Sequence, residues 1–150
     1  MRRMEIEVDQ SGKVEATGSA TVVAFSNSIY GSVLLPSKEK QALQRFFRKA
    51  GVPRLFVYRT FMALVFLLVK PHLGKITHIT IDIEYRGQEG LLKNLLLEHI
   101  RTANVKDLPT ITFKEIGHKS RADRVAHEAY RKRRADKRIT AKQVLQVILK

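Results

Sequence analysis

The sequence predicts a single α/β domain, residues 1–150, built on a mixed five-stranded sheet with helices packed on its faces. Two patterns carry this reading. The first third holds three strand-like segments joined by short links, the signature of an antiparallel meander. The remainder alternates helical and strand-like segments, as crossover units do. No repeat, low-complexity tract or long linker divides the 150 residues.

Met4, Ile6 and Val8 alternate with Glu5, Glu7 and Asp9, giving a first strand with its acids on one face. Gln10, Ser11 and Gly12 read as the following turn, which puts Asp9 at the strand's carboxyl end. Residues 14–26 and 29–35 are the second and third strands, with Gly18 as a bulge and Pro36 as the stop. Ser37 is placed to cap a helix carrying Leu43, Phe46 and Phe47, which Gly51 and Pro53 end. Residues 55–69 are apolar on nearly all sides and read as a buried helix.

Residues 78–85 form the fourth strand. Ile79, Ile81 and Ile83 alternate with Thr80, Asp82 and Glu84, so Asp82 and Glu84 share a face about 7 Å apart at ~3.3 Å per residue. A leucine-rich helix to about Thr102 and a fifth strand over 110–116 follow. A basic helix spans about 121–138, and Thr140 with Gln143 makes a capping box for a last helix over about 141–149. The fourth and fifth strands join the sheet parallel to the first through right-handed crossovers. That arrangement gathers Asp9, Asp82 and Asp123, from the first turn of the basic helix, at one sheet edge.

Cysteine is absent, which excludes disulfides, thiolate metal sites and cysteine nucleophiles and suits the reducing cytoplasm. The apolar run 61–69 falls short of the ~20 residues a bilayer requires, so no membrane partner is expected. Phosphate-binding and dinucleotide glycine motifs are missing, which leaves no small-molecule cofactor expected. The histidines lack zinc-ligand spacing. The net charge is +14, and residues 114–138 hold ten Lys/Arg against four Asp/Glu. Such clustering favours nucleic acid, bound through Lys119, Arg121, Arg124, Arg131, Arg133 and Arg134. The 61–69 segment and the last helix also offer apolar surface for a homodimer.

Three segments then carry a family resemblance: Val8-Asp9-Gln10-Ser11-Gly12, Ile81-Asp82-Ile83-Glu84-Tyr85, and residues 116–126, Ile-Gly-His-Lys-Ser-Arg-Ala-Asp-Arg-Val-Ala. With the order of elements, they resemble the ribonuclease H-like superfamily of ribonucleases H, Holliday-junction resolvases and integrases. The resemblance implies a nuclease that hydrolyses phosphodiesters in RNA, RNA/DNA hybrid or branched DNA with two Mg²⁺ or Mn²⁺ ions. It implies Asp9, Asp82 and Asp123 as metal ligands and His118 as a loop residue assisting product release or proton movement. The family's fourth acid has two candidates, Glu39 and Glu84. An extra apolar helix before the fourth strand departs from the family pattern.

Each residue also has a plain structural role to weigh. Glu39 favours the start of its helix through the helix dipole, and Ser120 with Asp123 matches a capping box. A non-catalytic nucleic-acid-binding protein of the same fold is the alternative function.

Overall fold

The alternation of apolar and polar residues sorts the sheet into two unlike faces. The computed structural model describes residues 3–26, 30–116, 121–132 and 135–149. In chain order the elements are β1 (Met4–Ser11), β2 (Thr21–Ser26), β3 (Tyr30–Leu35), α1 (Ser37–Lys49), α2 (Leu55–Val69), β4 (Ile76–Asp82), α3 (Glu89–Thr102), β5 (Thr110–Lys114), α4 (Arg121–Lys132), β6 (Lys137–Arg138) and α5 (Ala141–Ile148). The sheet order is β5-β4-β1-β2-β3-β6. β1, β2 and β3 pair antiparallel, while β4 pairs parallel to β1 and β5 parallel to β4.

Ile6, Val8, Val23, Phe25, Val33, Ile79 and Ile81 point into the main core, with α1, α2, α3 and α5. The opposite face carries Val22, Ala24 and Leu34, which pack with Ala126 of α4. α4 lies across β1, β2 and β3, using the narrow stripe of Ala122, Val125, Ala126 and Ala129 that the sequence displays. Gly12 sits at φ 77°, where a β-carbon would collide with the Ala20 carbonyl and the Tyr130 ring, so the chain leaves β1 tightly under α4.

α2 is the central core helix, with residues 60–66 buried. With the 3₁₀ turn that follows, it forms an 18-residue helix, Leu55–His72, long and apolar enough by length and composition to cross a membrane. That is longer than the run read from the sequence. Most of its apolar side chains, Phe61 to Phe66, Leu68 and Val69 among them, are buried against the sheet, α1, α3 and α5.

Several elements differ from the sequence reading. The sheet has six strands among the described residues, not five. The described basic helix is Arg121–Lys132 rather than 121–138, and Lys137–Arg138 form β6 beside β3. Asp136 drives this: its Oδ2 accepts from the Ser32 N–H at 3.1 Å and its own N–H donates to Ser32 Oγ at 3.2 Å. Ile139 then enters the core.

β2 begins at Thr21 rather than Val14. Val14 is apolar because it plugs the core, and residues 13–20 are gathered into turns by the buried Lys40, whose Nζ donates to the carbonyls of Lys13, Ala16 and Ser19 at 3.0, 2.7 and 2.7 Å. Burial pushes that ammonium's pKa down to about 8, against the opposing pull of Glu15. Ser37 does not cap α1; Pro36 holds that position and Ser37 Oγ donates to the Thr17 carbonyl. The capping box at the last helix is present: the Gln143 N–H donates to Thr140 Oγ1 and the Thr140 N–H to Gln143 Oε1.

Candidate metal centre

β1 and β4 run parallel with Val8 opposite Ile81, which sets Asp9 and Asp82 at the same level on neighbouring strands. Asp9 pairs across with Ala24, whose side chain lies on the α4 face. Directly opposed residues share a face, so Asp9 looks toward the α4 side. It lies within β1, which continues through Gln10 and Ser11, two residues that the sequence reading gave to the following turn. Asp9 is buried, and its Oδ1 accepts from the Gln10 N–H at 2.8 Å.

Asp82 is the last residue of β4. Its Oδ1 accepts from the Ile116 N–H at 2.8 Å, which ties the end of β4 to the segment leaving β5. The Arg86–Glu115 ion pair joins the same two segments.

Glu84 arrives differently from the sequence reading. The strand ends two residues before it, so Asp82 and Glu84 are not successive positions on one strand face. Tyr85 explains the turn: its ring packs edge-on against Tyr58 and Phe61 of α2, with centroids 5.7 and 5.6 Å away. This anchor swings the preceding residue inward. One carboxylate oxygen each from Asp9, Asp82 and Glu84 then lies within 4.8 Å of the others.

The neighbours of Glu84 form a polar chain running from the buried Gln10 to the exposed Glu15, which the sequence did not disclose. Gln10 Nε2 donates to the Tyr85 hydroxyl at 3.2 Å, and that hydroxyl donates to Glu15 Oε1 at 3.0 Å. Alternation predicts that Gln10 turns away from Asp9, and it does, pairing across with Val23 of the core face. Burial and then the negative charge of Asp82 push the Glu84 carboxyl above the ordinary range, partly opposed by Gln10 and Lys13. Burial likewise raises the Tyr85 phenol, which stays protonated.

Three close carboxylates, one pushed toward its protonated form by burial and then by the Asp82 charge, are a donor set suited to a hard divalent cation. The three carboxylates could hold such a cation.

The other predicted residues are distributed as follows. Glu39 does not join the cluster: its Oε1 accepts from the Ala141 N–H at 2.9 Å, joining α1 to the start of α5. Asp123 stands in the first turn of α4, with its side chain outside the described residues. Arg124 is exposed on α4. Arg121 and Arg131 belong to α4 by backbone, and their side chains lie outside the described residues, as do His118, Lys119, Arg133 and Arg134 altogether.

Comparison of the chain with protein-family models, with curated proteins and with solved structures finds no match. The functional reading therefore rests on the chemistry of the site.

Proposed function

We propose that this protein is a divalent-metal-dependent nuclease of ribonuclease H-like type, acting in the cytoplasm on phosphodiesters in RNA, RNA/DNA hybrid or branched DNA. The observation that carries the reading is the approach of Asp9, Asp82 and Glu84 oxygens to within 4.8 Å of one another at neighbouring strand ends. The meander of β1–β3 with β4 and β5 parallel to β1 supports the fold assignment, with β6 as an addition. The absence of cysteine and the interior position of α2 support the compartment.

In this reading Asp9, Asp82 and Glu84 hold Mg²⁺ or Mn²⁺, with Asp123 as a further ligand. When bound, the cations supply an activated water and neutralise the charge that develops on the phosphate. The chain's own contributions are positional. Ile116 orients Asp82, Gln10 and Tyr85 orient Glu84, and the basic α4 attracts the polyanion.

Mixing the protein with Mn²⁺ or Mg²⁺ and a panel of RNA, hybrid and branched DNA tests the proposal. Cleavage lost in Asp82→Asn is the expected result. Absence of cleavage on every substrate, or cleavage indifferent to that substitution, would reject it.

One observation favours the non-catalytic alternative. The raised Glu84 carboxyl lets the cluster sit together without any cation. Salt-sensitive nucleic-acid binding indifferent to metal, with no cleavage, would select that alternative.

A further inference from the structure

A cleft of about 630 Å³ opens on the α4 side of the sheet, lined by Gly18, Ser19, Ala20, Leu34, Tyr130 and Arg138 among others. That volume falls within the range of ligand sites. The cleft and the acid cluster stand at the same edge of the sheet. Arg138 pairs with Leu34, Leu34 with Val22, and Val22 with Ser11, two residues beyond Asp9. Three strand spacings of ~4.8 Å place Arg138 about 14 Å from β1. α4 spans a similar length, since Arg121 to Tyr130 is about 14 Å at ~1.5 Å per residue.

The lining suits a nucleic-acid strand. Arg138 is exposed and makes no ion pair among the described residues; Asp136, the nearest acid in the chain, is bonded instead to Ser32. Tyr130 presents a partly exposed ring on the same cleft. Gly18, Ser19 and Ala20 leave the opposite wall without bulk. An uncompensated guanidinium, an aromatic ring and a wall of small residues are the ingredients of a groove that tracks a phosphate backbone and stacks a base.

We propose that this cleft is a second nucleic-acid site, in which Arg138 binds a phosphate of the strand flanking the one held at the acid cluster. Assigning the flank rests on the nuclease reading above. A separation of about 14 Å corresponds to about four steps of a stacked strand at ~3.4 Å each. Oligonucleotides too short to bridge that distance gain nothing from the cleft.

The test is fluorescence anisotropy of the full chain in Ca²⁺, a hard cation for oxygen ligands, with labelled single-stranded DNA and RNA of about 4 and about 12 nucleotides, lengths within the range of single-strand sites. The wild-type protein is expected to bind the longer oligonucleotide more tightly. Arg138→Ala should collapse that advantage and reduce the slope of log affinity against log salt by about 0.7, one phosphate contact on a single strand. Arg138→Lys should retain most of the slope.

Gly18→Trp fills the cleft without changing charge: a β-carbon at Gly18 meets nothing within 4 Å. It too should abolish the length advantage. Melting curves confirm that each variant folds; if Gly18→Trp does not, the exposed Arg138 decides the matter. A length advantage and salt slope unchanged in Arg138→Ala would overturn the proposal. Because binding rather than cleavage is read, that outcome leaves the nuclease reading to be judged by cleavage alone.

Discussion

The Asp82 carboxylate accepts a hydrogen bond from the Ile116 N–H at 2.8 Å, so one residue both completes the acid cluster and closes the gap between the ends of β4 and β5. The two roles separate chemically, because asparagine keeps the acceptor and loses the charge. Asp82→Asn should lower metal-dependent cleavage by more than the roughly 10–100-fold that outer-shell changes cost, with little loss of stability. Asp82→Ala should also destabilise the fold by about 1 kcal/mol through the orphaned Ile116 N–H. Cleavage rates and denaturant melts of the three proteins check this; an Asn variant that cleaves normally removes Asp82 from the mechanism.

Glu84 makes the metal-free protein sensitive to pH. Its carboxyl is raised in the folded chain above the ordinary 4.5. Over the interval between those values the folded state holds a proton that the unfolded state has released. Stability therefore falls as pH rises through that interval, the reverse of a salt-bridged acid. Melting temperatures of wild type and Glu84→Gln without metal should diverge in this sense, the variant gaining relative to wild type as pH increases. Mn²⁺ should offset the loss in wild type. Parallel melting curves across the pH range would refute the shift.

Gln10 donates to the Tyr85 hydroxyl, next in the chain to Glu84. Gln10→Leu places an apolar side chain over the core and removes that donor. Mn²⁺ affinity measured by calorimetry should fall by about 10–100-fold. Tyr85→Phe, which preserves the ring packing on Tyr58 and Phe61, should have a smaller effect in the same direction.

Glu39 and Glu84 compete on sequence for the same ligand position, and the geometry separates them. Glu39→Ala should cost about 1 kcal/mol by leaving the Ala141 N–H without its acceptor, with cleavage intact. Glu84→Gln should show the opposite pattern. Parallel melts and cleavage assays of the two variants would expose a reversed assignment.

The periodic elements were legible because burial imposes a period on the residues that make it. Ile6 and Val8 against Glu7 and Asp9, and Ile79 and Ile81 against Thr80 and Asp82, announced both the strands and the acids' shared face. The apolar helix α2 and the capping box at Thr140 were equally plain, each depending on residues close in the chain.

Non-local partners decided the rest. Residues 14–20 look like the start of a strand until Lys40 gathers the carbonyls of Lys13, Ala16 and Ser19. Residues 137 and 138 look like a helix end until Asp136 finds Ser32, 104 positions earlier in the chain. Glu84 looks like one more strand residue until the α2 aromatics seize Tyr85.

The sequence by itself determined which residue types could make a metal centre and which strands would carry Asp9 and Asp82, since alternation and charge are local properties. Only the tertiary structure decided that Glu84 rather than Glu39 completes the described cluster. That choice turns on hydrogen bonds and ring contacts between segments distant in the chain, and no spacing rule encodes them.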